Sequence, residues 1–191
     1  ALGSAWVGFK AIQSAIGGAN EFERAVAKLD AVVRSTGMAA GFTTDELVKM
    51  AGALELVTTF GDSVIMEGQA ILLTFKNIRE DAFKRTIEVA LDMSTVMNQD
   101  LRSAVVQLGK ALNDPVANLG ALSRAGVQFT KDQKEVIKSL WESGKALEAQ
   151  NIILKELESE FGGTARAMTD KFGGSVEQLK NFIGDLVREF G

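Results

Sequence analysis

The sequence predicts an all-α protein. It should be an array of about seven to nine helices joined by short glycine-containing breaks, and the array need not close into a bundle. Three observations predict this. Only one Pro occurs in 191 residues, and Pro is the residue that most strongly interrupts a helix. Apolar residues recur at the three- and four-residue spacing of a helical face. Ser, Thr, Asp and Asn stand before these runs and Gly after them, which is the order of helix caps. The 19 Gly residues are many for a helical chain, so they must mark helix ends, close crossings or joints. The short runs Val32–Thr36 and Gly126–Thr130 are the nearest approach to strands, and both lie between helical patterns.

The first helix is expected over Ser4–Ile16, with Gly17–Gly18 as its stop. Trp6 and Phe9 would give it an apolar side for packing or an interface. Asn20 is the expected cap of a second helix carrying Phe22, Val26, Leu29 and Val33 on one face, and Ser35–Gly41 reads as a linker. Thr43 with Glu46 three positions on forms a capping box, and Phe42 and Leu47 stand at the hydrophobic-staple positions. That helix should reach Phe60 and stop at Gly61. Asp62 should cap the next, through Val64, Ile65, Ile71, Leu72 and Phe75. Gly52 and Gly68 fall inside these two helices at a cost of about 1 kcal/mol each relative to Ala, which suggests close helix crossings.

A break at Lys76–Arg79 precedes a helix expected over Asp81–Met97. Asp100 should cap the next, with Leu101, Val105, Leu108 and Leu112 inward. Asp114–Pro115 is a further start, because Asp caps and Pro fits the first turn, where no N–H is required. This helix should end near Gly126. Thr130 and Gln133 form a second capping box ahead of Val136, Ile137, Leu140 and Trp141, with Trp141 expected in the core. Gly144 breaks the chain before a helix over Lys145–Phe161 that uses Leu147, Ile152, Ile153, Leu154 and Leu157. Its Glu148, Glu156, Glu158 and Glu160 are expected to be solvated.

Phe161-Gly162-Gly163 recurs as Phe172-Gly173-Gly174, eleven residues later, with Thr164 and Ser175 each placed to cap a helix. The last helix, from Ser175 to about Glu189, has Val176, Leu179, Phe182, Ile183, Leu186 and Val187 as its apolar face. Two copies of a motif do not make a repeat protein. The chain divides into 1–18, an N-terminal helix or an expression-derived extension, then helical subdomains at 19–110 and 111–191. Ala1–Ser4 reads as a scar of expression, and the lack of an initiator Met as the mark of a fragment or processed product.

Composition narrows the function. The chain has no Cys and no His. Thiolate catalysis, disulfides and cysteine metal sites are thereby excluded, and the usual general base and most zinc and iron ligands are missing. The net charge of −4 offers no long-range attraction to a phosphate backbone, so no direct nucleic-acid binding is expected. Lys10, Asp62, Glu67 and Lys76 interrupt the apolar stretches before any reaches membrane-spanning length. The first eighteen residues lack the basic flank of a signal peptide.

Several groups invite a chemical role and favour a structural one. Asp45 and Glu46, like Glu80 and Asp81, sit where negative charge stabilises a helix start. Asp81, Glu88 and Asp92 could line one helix, but a helical two-metal site would also use Glu-x-x-His pairs. Neither Gly162–Gly163 nor Gly173–Gly174 sits in a phosphate-loop pattern. No Ser has a His partner or a nucleophile elbow. No lone acid in an apolar setting beside a second carboxylate marks a glycosidase. No catalytic, cofactor-binding or metal residue is expected, and the chain is read as a non-enzyme.

The stretch Leu108–Phe172 resembles the N-terminal region of the tail length tape measure proteins of long-tailed bacteriophages and prophages. The resemblance rests on Asn113-Asp114-Pro115, Leu119 with Leu122, Gly126-Val127, Phe129-Thr130 and Gln133-Lys134. It continues through Ile137, Leu140, Glu142, Gly144, Ala149-Gln150 and Glu158–Gly163, and extends loosely upstream over Phe22–Lys110.

The resemblance implies a very long, mostly helical virion protein that runs inside the tail tube in a few copies. Its length would set the number of tube rings, assembly chaperones would bind it, and it would leave the tube ahead of the genome. The implied partners are other copies of itself, tail tube subunits and tail assembly chaperones, with contact to the host envelope at genome delivery. The implied locations are the tail lumen after assembly and the host cytoplasm during it. Some family members carry murein-cleaving or peptidase domains elsewhere, and none of those activities maps to a residue here. This chain would be a domain of such a ruler. Even fully helical it would span only roughly 290 Å at about 1.5 Å per residue, and its breaks forbid that. Two other readings remain: a membrane-active helical module used at genome delivery, and a helical glycan-cleaving enzyme.

Overall fold

The computed structural model describes residues 20–124 and 126–169. These are helical with no strand among them. The helices are α1 (20–35), α2 (Thr44–Glu55), α3 (Asp62–Leu72), α4 (Glu80–Met97), α5 (Leu101–Asn113), α6 (Pro115–Arg124), α7 (Lys131–Glu142) and α8 (Ala146–Phe161), with a further helical segment at 164–169. The expected helix over Ser4–Ile16 lies outside the described residues, as do Trp6, Phe9, Phe172, Gly173, Gly174 and the expected helix from Ser175.

One hydrophobic cluster runs from Ala25 to Ala165, crossing residue 110 without interruption. Its centre is α4, which buries Phe83, Ile87, Leu91 and Met93 and packs against α3, α5 and α8. The α2–α3 pair covers one part of this core, and α6, α7 and α8 pack in sequence on the other. Burying an aliphatic or aromatic side chain of this size stabilises by about 1.5–3 kcal/mol, so the apolar stripes, more than helix propensity, hold these short helices in place.

In α1 the inward face is Ala25, Leu29 and Val33, spaced by four. The expected Phe22 is turned out to 37 % exposure, since the stripe through Leu29 and Val33 passes over Ala25. Asn20 is already helical, so it does not cap α1, whose start lies outside the described residues. The helix closes as a Schellman motif: Gly37, at φ +62, donates to the Arg34 carbonyl and Met38 to that of Val33.

Thr43 and Glu46 form the capping box of α2. The Glu46 carboxylate accepts from the Thr43 backbone N–H at 2.9 Å, and the Glu46 N–H donates to Thr43 Oγ1 at 3.3 Å. The helix ends at Glu55, short of the expected Phe60. Val57, Thr58 and Thr59 are β-branched and poor helix formers, and the Thr58 hydroxyl donates to the Leu54 carbonyl at 2.8 Å, closing the last turn. Gly61, not Asp62, is the N-cap of α3. Gly68 faces α5 so closely that a Cβ there would lie 3.3 Å from Leu101 Cδ2. Gly52, by contrast, has open space where a Cβ would stand, so no crossing accounts for it.

The remaining starts are set by local chemistry. Asp100 Oδ1 accepts from the Ser103 N–H at 2.9 Å, and Asp114 Oδ1 from the Ala117 N–H at 3.2 Å, with Pro115 opening α6. Gly126, at φ +103, closes α6: Gly126 and Val127 donate to the Ser123 and Leu122 carbonyls, and both Val127 and Leu122 are buried. Thr130 and Gln133 form the capping box of α7. Gly144, at φ +79, ends that helix as a third Schellman motif, with Lys145 donating to the Leu140 carbonyl. Ile137 is buried, Leu140 and Trp141 pack partly buried on the core, and Val136 is exposed. In α8 the inward face is Ala149, Gln150, Ile153, Leu154, Leu157 and Phe161, while the expected Leu147 is 53 % exposed.

Candidate functional site

The sequence points to helix boundaries rather than to a reacting centre, and the structure spreads those positions along the chain. Thr43, Glu46, Asp114, Pro115, Thr130 and Gln133 stand at three separate helix starts, and Gly144, Gly162 and Gly163 at two later breaks. The neighbouring polar groups come together elsewhere, on two faces of α4.

The first face is a charged seam against α8 and the terminal segment. Asp81, Arg85, Glu88 and Asp92 recur along α4 at steps of three and four, which aligns them on one side of the helix. Arg85 donates from Nε and Nη2 to the two carboxylate oxygens of Glu158, at 2.6 and 3.0 Å, and from Nη1 to Asn151 Oδ1 at 2.6 Å. The hydrogen bond to Glu158 is the main reason the Arg85 guanidinium is held above its ordinary pKa, against the effect of burial. Glu88 accepts from Arg166 Nη2 at 3.3 Å.

Asp92 is buried and its two oxygens serve one purpose. Oδ2 accepts from the Gly163 N–H at 3.0 Å and Oδ1 from the Ala165 N–H at 2.8 Å. A carboxylate from α4 therefore caps the segment 164–169. Thr164, the cap expected from sequence, turns its hydroxyl back to the Phe161 carbonyl at 2.6 Å. Gly162 lies so near the Glu158 carbonyl that a Cβ would collide with it, and Gly163 has φ +81. Both glycines are thus required by the reversal that delivers the chain to Asp92.

Glu148, Glu158 and Glu160 on α8 are exposed, as expected, and Glu156 is half-buried, yet three of the four also accept hydrogen bonds from other elements. Besides Glu158 on Arg85, Glu156 accepts from Gln133 Nε2 at 2.6 Å, and Glu160 from the Gln128 N–H at 3.3 Å. Three of the acids reach neighbouring elements because α8 packs against both α4 and α7. Gln133 therefore has two tasks, since its Oε1 also accepts from the Thr130 N–H at 2.7 Å.

Gln150, fully inside the protein, does more than its place in the Ala149-Gln150 motif suggests. Its Nε2 donates to the carbonyls of Asn77 and Leu112, at 2.9 and 3.0 Å, joining α8 to the chain before α4 and to the end of α5. Its only sequence signal is a polar residue at an apolar position of the α8 stripe. Gln69 is a second such residue: buried in α3, it donates to the Leu47 carbonyl at 3.1 Å.

The second face of α4 forms a groove with α2, about 440 Å³ in volume. Phe42, Met50 and Leu54 supply its apolar lining, and Glu46, Lys49, Lys84 and Glu88 its charged lips. The Phe42 ring lies 5.4 Å from that of Phe83, tilted by 42°, and Lys84 Nζ stands 5.4 Å from the centre of the Phe42 ring. Such contacts favour aromatic and cationic neighbours by about 0.5–1.5 kcal/mol.

No group of three or more acidic side chains among the described residues could hold a metal ion, and no helix there is long and apolar enough to cross a membrane. Asp92, the buried carboxylate a glycosidase reading would single out, spends both oxygens on backbone donors. The arrangement is suited to fixing helices against one another and to receiving an apolar side chain between α2 and α4. No protein-family model matches the chain, and no curated protein or solved structure matches it either.

Proposed function

We propose that this chain is a helical domain of a phage tail tape measure protein, acting in tail assembly and length determination by packing and docking. One observation carries the reading: the order of motifs along Leu108–Phe172, which resembles the N-terminal region of that family. The reading is consistent with the use those residues have in the fold. Asn113-Asp114-Pro115 turns α5 into α6, Gly126-Val127 closes α6, Phe129-Thr130 and Gln133 open α7, and Gly144 separates α7 from α8.

On this reading the partners are other copies of the protein, tail tube subunits and assembly chaperones, with the host envelope met at genome delivery. The chain resides in the cytoplasm during assembly and in the tail lumen afterwards. Its own contribution is a folded unit with fixed helix ends, and no residue is assigned to catalysis. The membrane-active alternative gains no specific support, because the apolar stripes of α2–α5 and α8 already face one another in a common core.

The test is an in-frame deletion of α6–α8 from the gene that encodes the chain, with tails viewed by electron microscopy. Absent tails or tails of altered length are the expected result. Tails of normal length and number overturn the proposal, as would a reading frame whose neighbours include no tail genes.

A further inference from the structure

The groove between α2 and α4 keeps apolar side chains within reach of solvent. Phe42 and Met50 are half-buried there, and Leu54 is buried beneath them. Accessible apolar surface rimmed by charge is the usual composition of a contact surface. The four rim residues, Glu46, Lys49, Lys84 and Glu88, are all exposed.

The order of these charges says what the groove fits. α2 and α4 start side by side, with the Phe42 ring against Phe83, and pass along the groove in the same direction. On α2 the acid comes first, Glu46 then Lys49. On α4 the base comes first, Lys84 then Glu88. Signs therefore alternate around the groove. Each lip carries one opposite-signed pair about one helical turn apart, roughly 4.5 Å on α2 and roughly 6 Å on α4. A lip of this kind is its own complement when turned end for end.

A two-fold axis across the groove, midway along each pair, sets Glu46 of one copy against Lys49 of the other, and Lys84 against Glu88. Every acid then faces a base, and no like charges meet. The apolar residues follow the same symmetry. Phe42 and Leu54 stand at nearly equal distances on either side of that axis, with Met50 close to it, so the ring of one copy comes to the level of the other's leucine. An axis along the groove would match the signs equally well, but it would lay like ends of the helix dipoles together, whereas antiparallel helices bring opposite ends together. Arg166 occupies Oε1 of Glu88, and a carboxylate accepts at both oxygens, so Oε2 can serve Lys84 of the other copy.

We propose that the α2–α4 groove is a self-association surface. Two copies of this chain pair there about a two-fold axis, α2 on α2 and α4 on α4, each antiparallel. The contact rests on the groove alone, so it can fail while the tail reading stands, and the reverse.

Sedimentation of the full 191-residue chain over a range of concentrations should show a reversible monomer–dimer equilibrium. Lys84→Glu or Glu88→Lys sets like charges against each other twice in every dimer. Each variant alone, at unchanged helical circular dichroism, should dissociate at least about tenfold more readily. An equimolar mixture of the two should regain the dimer, because every facing pair is again of opposite sign. A monomer at all concentrations, an assembly larger than two, a dimer indifferent to both reversals, or a mixture that does not recombine each overturns the proposal. A second measurement needs no charge reversal. The chain has no Cys, so Met50→Cys carries a single thiol. Its labelling by a maleimide should slow about tenfold as concentration rises through the range where the dimer forms. A rate independent of concentration overturns the proposal.

Discussion

Arg85 and Glu158 lie 73 residues apart in sequence and meet through two parallel hydrogen bonds, Nε to Oε1 at 2.6 Å and Nη2 to Oε2 at 3.0 Å. The side chains keep 24 % and 39 % of their exposure, so the pair is neither deeply buried nor freely solvated. A two-pronged pair in this setting fixes the rotation of α8 about its axis as well as its position.

A double-mutant cycle of Arg85→Ala and Glu158→Ala should give a coupling energy near the upper end for such pairs, about 1 kcal/mol. The coupling should shrink in molar salt, where exposed charges are screened. Urea unfolding at low and high salt measures both, and purely additive effects would contradict the assigned geometry.

Asp92→Ala should destabilise the domain by about 1–2 kcal/mol, the range for a lost N-cap. The effect should be local: amide exchange at Gly163 and Ala165 accelerates before exchange in α4 does. Asp92→Asn retains one acceptor and should fall between the two proteins. If exchange at Gly163 and Ala165 is unchanged in Asp92→Ala, the cap is not formed by that carboxylate.

The helix starts give a pH dependence with a defined sign. The Thr43 backbone N–H, chiefly, holds the Glu46 carboxyl below its ordinary 4.5, and the Ser103 side chain, chiefly, holds Asp100 below 3.8. Folded values below the unfolded ones mean that this stabilisation is complete above the ordinary values. It is lost as pH falls through the folded values. Glu46→Gln and Asp100→Asn should therefore show a shallower loss of thermal stability between neutral pH and about pH 2.5 than the parent protein. A decline equally steep in all three would rule out these two groups as contributors.

Two glycines in helices should respond in opposite directions to the same change. Gly52→Ala meets open space and should stabilise by about 0.5–1 kcal/mol through helix propensity. Gly109→Ala drives a Cβ into the Phe75 ring and should destabilise by about 1–3 kcal/mol, as overpacking does. Thermal unfolding of the two variants separates the cases, and a shift of the same sign in both would refute this assignment of space.

The features legible in the sequence are those whose partners lie within one helical turn. Thr43 with Glu46, Thr130 with Gln133, Asp100 with Ser103 and Asp114 with Ala117 are all pairs three residues apart, so local spacing alone specifies them. Local spacing points to Thr164 as the cap of the segment 164–169, because Asp92 lies more than 70 residues away and only the packing of α8 on α4 brings it there. The same limit applies to Glu156, Glu158 and Glu160, whose partners sit on other elements, and to Gln150, whose acceptors Asn77 and Leu112 come from two. Helix faces are legible to within about one residue in each turn. Phe22 and Leu147 lie just off their stripes, at an edge where hydrophobicity does not distinguish lining from rim.

The reversal at Gly163 also decides how the domain yields to a pull. A load applied beyond Thr169 draws the chain away from α4 at the level of Glu88, so its attachments bear the strain one at a time. Arg166 lets go of Glu88 first, the Asp92 cap gives way next, and Arg85 with Glu158 comes last. This is a peeling geometry, with a low rupture force at each step, whereas a chain leaving α8 without turning would strain the whole α4–α8 contact in shear. A protein drawn end-first through a narrow passage would thus shed the segment 164–169 before α8 is disturbed.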